Sequence, residues 1–286
     1  MKFKIGNKQY VLSLTKRIIP TALCRNISSL AGSNEDIYTK SNSPKLIGKV
    51  ALVTGGYRGI GLAISRILLR EGANVIITGR NGNKLDEICQ RYGGGHLKYL
   101  VWDISEFSLC KEKFEEASKL FGKIDILVNN AGVTTDGKDR VIFESMTSEH
   151  FKYVHDINTI GTRQMCVEYA GIVDNGTILN IISNTSIRAA QDAYFTSKWA
   201  IYSFTKAFGN ECQHSGKNIK INGLCPGPIK TPMSFVEGGQ LFRPEIPNHR
   251  IGLPEEIGEM ALTIILSSLD GLNGKIYVND GGETLF

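Results

Sequence analysis

The chain has no Cys-x-x-Cys pair and no histidine-rich partner for one; its six cysteines stand irregularly at 24, 89, 110, 166, 212 and 225. That spacing offers neither a metal site nor a disulfide framework, so no metal and a reducing compartment are expected. No apolar run approaches the ~20 residues needed to cross a bilayer, which excludes a transmembrane helix. Charge of one sign is also missing from the body of the chain. Residues 1–45 hold eight Lys/Arg against two Asp/Glu, a net of +6, and the remainder holds 25 against 26, a net of −1. The basic balance belongs to the arm and says nothing of a nucleic-acid face on the body, and no nucleic-acid partner is expected. The Asn184-Thr185-Ser186 sequon is read as chance.

The arm has no acidic residue before Glu35. Three readings stay open: an organelle transit segment, a basic membrane-surface segment over 12–30 that Pro20 would interrupt, or a plain extension. A small hairpin is expected around Gly6-Asn7, and 32–44 reads as a linker. The division is therefore a basic extension and linker, 1–45, and a folded domain, 46–286. A cytoplasmic location is expected, with a mitochondrial or other organelle address as the alternative.

What the body does have is alternation. Short β-rich runs occur at 49–54, 74–78, 98–102, 124–128, 177–182, 219–224 and 275–278. Between them lie helical repeats such as 61–70, 108–121 and 194–213. Near-continuous apolar strands separated by helices predict α/β architecture, a doubly wound parallel sheet of about seven strands in the Rossmann manner. Ligands of such a sheet sit outside the carboxyl ends of its strands.

The first strand runs into Thr54-Gly55-Gly56-Tyr57-Arg58-Gly59-Ile60-Gly61. Gly55, Gly59 and Gly61 fall where a side chain would block the approach of a pyrophosphate or of the helix to the sheet. Tyr57, Arg58 and Ile60 complete the predicted cradle. The second strand ends Thr78-Gly79-Arg80, with no carboxylate where a 2′-hydroxyl would need one. Arg58 and Arg80 therefore predict NADP(H) in preference to NAD(H), unless both are simply solvated.

In the second half, Tyr194 stands eleven residues after Ser183, and Lys198 lies one helical turn beyond Tyr194. A phenol with a pKa near ~10 is a poor proton donor at neutral pH. An ammonium at ~4 Å, in an effective dielectric near ~20, would favour phenolate by about 4 kcal/mol. That is roughly three pKa units. Tyr194 is thus the expected proton donor, with Lys198 lowering its pKa.

These motifs, in this order, resemble the short-chain dehydrogenase/reductases of single-domain type, over about Lys49 to Gly282. The glycine spacing does not match the extended, sugar-nucleotide branch. The resemblance implies that Asp103 and Ile104, after the third strand, meet adenine, and that Asn130, Ala131 and Gly132 close the fourth strand against the cofactor. It implies that Ser183 holds the substrate oxygen, that Lys198 also binds the nicotinamide ribose, and that Asn158 supports a water relay from Lys198. It places Pro226, Gly227, Ile229 and Thr231 in the loop that holds the carboxamide. A homodimer or homotetramer is implied as well.

The function expected is NADP-dependent interconversion of a ketone and a secondary alcohol. The alternative is a non-catalytic NADP-binding sensor or scaffold. The run 129–136 (NNAGVTTD) is similar to the 3-oxoacyl-carrier-protein reductases, but 168–176 and 212–216 lack the basic residues on which an acidic carrier would dock. Polyol, sugar and steroid ketones therefore stay beside acyl ketones as small-molecule substrates. A lid is expected at 232–250, with Met233, Phe235, Val236, Leu241 and Phe242 as apolar lining. Arg188 and Arg243 are candidate anchors for an anionic substrate, and Asp125 is read as structural.

Overall fold

The computed structural model describes residues 2–5, 8–11, 38, 41, 43–134, 146–188, 192–233, 243–267 and 272–285. The chain divides into two compact units, Met1–Tyr38 and Thr39–Phe286. In the first, strands β1 (Lys2–Ile5) and β2 (Lys8–Val11) pair antiparallel, Lys2 opposite Val11. Gly6 and Asn7, the segment 12–30 and most of 32–44 lie outside the described residues.

The second unit holds strands β3 (Val50–Thr54), β4 (Asn74–Gly79), β5 (Leu97–Val101), β6 (Ile126–Asn129), β7 (Asn175–Ile181), β8 (Asn218–Pro226) and β9 (Ile276–Asn279). They form one seven-stranded parallel sheet in the order β5-β4-β3-β6-β7-β8-β9. The doubly wound α/β sheet is as the sequence predicts. Its central strands are apolar along their length because both faces are covered; every residue of β3 is buried. Chain order reverses between β3 and β6, which opens a crevice at their carboxyl ends.

Among the described residues the α-helices are α1 (Gly59–Arg70), α2 (Gly82–Tyr92), α3 (Cys110–Phe121), α4 (Ser148–His155), α5 (Thr162–Ile172), α6 (Ala193–His214) and α7 (Pro254–Leu266). Between α4 and α5 the residues Asp156–Gly161 form a π-helical turn, a widening often found at functional sites. Helices α1 and α7 pack together closely, since a Cβ on Gly258 would stand 2.5 Å from the Ile67 side chain. Phe114 of α3, Met165 and Tyr169 of α5 and Phe208 of α6 share one apolar cluster with Leu52, Ile76, Leu127 and Ile221 of the sheet.

Two polar devices tie the lower ends of the strands. The Asp125 carboxylate accepts the Val50 N–H at 3.0 Å and the Lys49 ammonium at 3.2 Å, a structural role. The buried Tyr169 hydroxyl donates to the carbonyls of Asp125 at 2.7 Å and Ile124 at 3.2 Å. Tyr169→Phe strips these carbonyls of a donor and should cost about 1–3 kcal/mol in urea unfolding. An unchanged midpoint and slope would show that the bond contributes nothing.

Candidate active site

The glycine loop joins β3 to α1 with no room for a side chain at Gly56 or Gly61. Gly55 and Gly59 have φ of 63° and 52°, a region that favours glycine. A Cβ on Gly61 would lie 2.4 Å from the Gly55 carbonyl oxygen. Arg58, the N-cap of α1, makes no side-chain cap, and the first turn holds no acidic residue. The first N–H groups of α1 are therefore left to an anion by both geometry and charge. Ile60 stands in that first turn. These features fit a dinucleotide pyrophosphate.

Thr54 locks the neighbouring strand end. Its hydroxyl accepts the N–H groups of Asn130 at 2.9 Å and Ala131 at 3.0 Å, while the Asn130 amide donates to the Thr54 carbonyl at 2.9 Å. Asn130, Ala131 and Gly132 are thereby held against the glycine loop. A Cβ on Gly55 would come within 3.1 Å of Ala131.

At the end of β4 the Tyr57 ring lies over Gly79, where a Cβ would come within 2.6 Å of it. Tyr57, Arg58, Arg80, Asn81, Gly82 and Asn83 line a cleft of about 550 Å³. This cleft lies beside the cradle, not at Tyr194. Arg58 is exposed, with its guanidinium 5.6 Å from the Tyr57 ring centroid. Arg80 is exposed too; it donates to the Tyr153 hydroxyl at 3.3 Å and stands 3.8 Å from Asp103. The Tyr153 hydrogen bond holds its pKa above the ordinary arginine value, opposed by burial. Asp103 uses its other oxygen to accept from Ser105 N–H at 2.9 Å, and Ile104 beside it is buried.

Ser183, Tyr194, Lys198 and Asn158 converge above β6 and β7. Ser183 lies two residues past the end of β7 and caps a short 3₁₀ turn, Asn184–Ile187, its Oγ accepting from Thr185 N–H at 3.2 Å. Tyr194 stands in the first turn of α6, which Asp192 caps by accepting from Phe195 N–H. The Ser183 hydroxyl is close enough to act on its phenol, holding the pKa down against burial. Lys198 is 5% exposed, and its ammonium donates to the Ile181 carbonyl at 3.0 Å. Asn158 sits in the π-helical turn, donating to Val133 O at 2.8 Å and Ser197 Oγ at 3.0 Å and accepting from Val133 N–H at 2.8 Å. A Cβ on Gly132 would stand 3.2 Å from Asn158 Oδ1 and 3.5 Å from Lys198 Nζ.

The electrostatics correct one expectation. Lys198 does not bring the phenol toward neutrality in this arrangement. Burial pushes the Tyr194 pKa up, and the Ser183 hydrogen bond only opposes it. The ammonium lies 5.7 Å from the ring centroid, held by Ile181 instead. Desolvation brings Lys198 itself down to about 8. Sequence spacing gives proximity; it does not reveal how dry the site is.

Beyond β8, Gly227 packs on the chain end, where a Cβ would come within 2.7 Å of Asp280, and its N–H donates to the Asn279 carbonyl at 3.0 Å. Pro226, the last residue of β8, pairs in register with Asn279 of β9. Ile229 bridges to Gly252, and Thr231 sits over the glycine loop, 3.2 Å from a Cβ placed on Gly59. Of the expected lid, Met233 is exposed, whereas Phe235, Val236, Leu241 and Phe242 lie outside the described residues. Neither arginine offered as an anion anchor is unpaired: Arg188 bonds Glu283 at 3.0 Å and Arg243 stands 3.4 Å from Glu245. Sequence reading left out Thr54, Ser197 and Glu283. Thr54 heads the glycine motif and was legible there; the other two carry no local signal.

With this geometry in place, residues 49–238 match the family model described as short chain dehydrogenase. The chain belongs to that family and is an NAD(P)-dependent oxidoreductase acting on CH–OH and C=O groups. It is 32% identical over 248 residues to a 3-oxoacyl-[acyl-carrier-protein] reductase, FabG, of Thermotoga maritima, covering 83% of this chain and 98% of that protein. It is 35% identical over 261 residues to the oxidoreductase UcpA of Salmonella typhimurium, covering 84% and 96%. The crystal structure of a short chain dehydrogenase from Bacillus anthracis superposes with a TM-score of 0.75 at 26% identity, covering 84% and 97%.

The depressed lysine generates a signed prediction. Lys198 falls from 10.5 to about 8 on folding, so the unfolded chain binds more protons between those values. Stability from this group therefore rises with pH through that window, by about 3 kcal/mol. Compared with Lys198→Met in urea, the native chain should gain that much between pH 8 and pH 10.5. A stability difference that stays flat would overturn the assignment.

Proposed function

We propose that the protein interconverts a ketone and a secondary alcohol using NADP(H), with Tyr194 as proton donor. The observation that carries the reading is the Ser183 hydroxyl and the Tyr194 phenol gathered with a buried Lys198 at the carboxyl edge of the sheet. When bound, the nicotinamide supplies or accepts the hydride. The chain's own residues handle the oxygen. Ser183 and Tyr194 donate to the substrate oxygen, and Tyr194 gives up its proton as the alcohol forms. Lys198 offers its remaining protons to the cofactor ribose and, through it, gives the phenolate left on Tyr194 a path for reprotonation. Asn158 holds Val133 and Ser197, and so sets the wall of a proton path past Lys198.

The cofactor-binding set is Gly55, Tyr57, Arg58, Gly59, Ile60, Gly61, Arg80, Asp103, Ile104, Asn130, Ala131, Gly132, Tyr194, Lys198, Pro226, Gly227, Ile229 and Thr231. NADP(H) is preferred because two exposed guanidiniums line the cleft at the end of β4, where Asp103 is turned toward Arg80 and Ser105. The substrate is a small ketone or alcohol. An acyl ketone is one candidate, given the relative from Thermotoga maritima. Lys217, the cation nearest the stretch 212–216, donates instead to the carbonyls of Ala170 at 2.5 Å and Val173 at 3.2 Å, which weighs against carrier docking there. Phe151, Ile160 and Trp199 leave an apolar face on α4, the π-helical turn and α6 that suits a homodimer or homotetramer. No described helix is long and apolar enough to cross a membrane.

Tyr194→Phe should lower turnover by about 10²-fold or more while the dissociation constant for NADPH stays within about twofold. A panel of ketones followed by nicotinamide absorbance reads the first, and fluorescence titration the second. Turnover surviving the substitution would remove the proton-donor role and favour the sensor reading. Arg58→Ala and Arg80→Ala should each raise KM for NADPH about tenfold and leave KM for NADH nearly unchanged. Equal use of NADH by the native chain would end the NADP assignment.

A further inference from the structure

Ser183 is followed by the 3₁₀ turn and Arg188, and this whole piece is clamped by the chain end. The two carboxylate oxygens of Glu283 are divided between it. One accepts from the Asn184 amide at 2.7 Å, the other from Arg188 Nη1 at 3.0 Å. Arg188 Nη2 adds a bond to the Glu283 backbone carbonyl at 2.7 Å. The segment 280–284 is itself rigidified by Asp280, whose carboxylate accepts from Gly282 N–H at 2.9 Å and from the Thr284 N–H and hydroxyl at 3.0 and 2.7 Å. Asn184 also reaches Asp280, at 3.4 Å. On the other side, the Trp199 indole N–H donates to the Arg188 carbonyl at 2.9 Å, which joins the turn to α6 one turn beyond Tyr194.

The turn sets the direction of the Ser183 hydroxyl. Thr185 N–H occupies one lone pair of Ser183 Oγ, and Ser186 Oγ donates to the Ser183 carbonyl at 2.6 Å. With one lone pair taken from the turn side, the O–H is turned away from the turn, toward Tyr194 and the substrate oxygen. A shift of the turn rotates that donor.

We propose that Glu283 is a positioning residue for Ser183: its carboxylate holds the turn 184–188, and through it aims the Ser183 O–H. The inference rests on the reading of Ser183 as a donor to the substrate oxygen. The pairing differs from an ordinary surface ion pair because one carboxylate grips two side chains of the same turn and is 18% exposed. Its effect falls on catalytic alignment, where a displacement near 1 Å costs up to about 10²-fold.

The test is steady-state kinetics of the full chain with one ketone from the panel. Glu283→Ala should lower kcat on the order of tenfold with KM for the reduced nicotinamide within about twofold. Glu283→Asp should recover part of the loss, and the exchange Glu283→Arg with Arg188→Glu more than either single change. In a Ser183→Ala background, Glu283→Ala should add nothing. If Glu283→Ala fails to fold, Glu283→Gln, which keeps the acceptor for Asn184 and loses the charge, is held to the same pattern with a smaller loss. Native kcat in the folded variant, or an undiminished loss in the Ser183→Ala background, overturns the positioning role. Native turnover by Ser183→Ala alone would instead overturn the reading of Ser183, whatever Glu283 does.

Discussion

A lysine ammonium held out of water at the carboxyl edge of the sheet is the constraint around which the site is arranged. Burying an ammonium is costly unless its donors are taken up. Here the strand β7 ends at Ile181, and its carbonyl turns to accept from Lys198. The titratable neighbour that bears on it is Cys225, a thiol that burial keeps protonated by raising its pKa. The ammonium is thus met by dipoles rather than by a carboxylate, which leaves its charge available to groups entering the crevice. A buried aspartate in the same place would have neutralised it.

The packing needed to hold that arrangement reaches far from Lys198. A Cβ on Gly132 would press on Asn158 Oδ1 at 3.2 Å and reach Lys198 Nζ at 3.5 Å, so little space is left there. Asn158 reaches Val133 and Ser197 together because the π-helical turn adds a residue to the helical path between α4 and α5. Below it, Asn129 donates to Asn180 at 2.9 Å and Asn180 to Thr205 at 2.9 Å, a buried polar line linking β6, β7 and α6. These bonds make the relative position of β6, β7 and α6 specific in a way that an apolar interior would not.

Much of the fold was legible because it is written in local periods. Runs such as 50–53 are apolar without alternation, which only a strand covered on both faces requires, and the glycine loop announces itself by spacing. The helix expected at 61–70 begins at Gly59, since the loop glycines already take part in its first turn. The candidate site was legible where chemistry and spacing coincide, as at Tyr194 and Lys198. It was illegible where partners are far apart in the chain. Arg188 looked like an anion anchor because its carboxylate stands 95 residues away. The phenol looked acidic because an i, i+4 spacing fixes distance along a helix and says nothing of desolvation.

That last contrast separates the two ends of the crevice. At β4 the arginines are exposed, so a phosphate can be met by charge that water has not been stripped from, and selectivity there is a matter of sign. At β7 and α6 Ser183 and Lys198 are 7% and 5% exposed, so every group's protonation depends on what enters beside it. Tyr194 is raised and Lys198 lowered by the same dryness, which favours the neutral form of each. Chemistry in such a place needs fixed geometry, because a dry site has no solvent to reorganise around a misplaced donor. The clamp on the turn after Ser183 and the polar line beneath Lys198 are therefore requirements of the same physical condition.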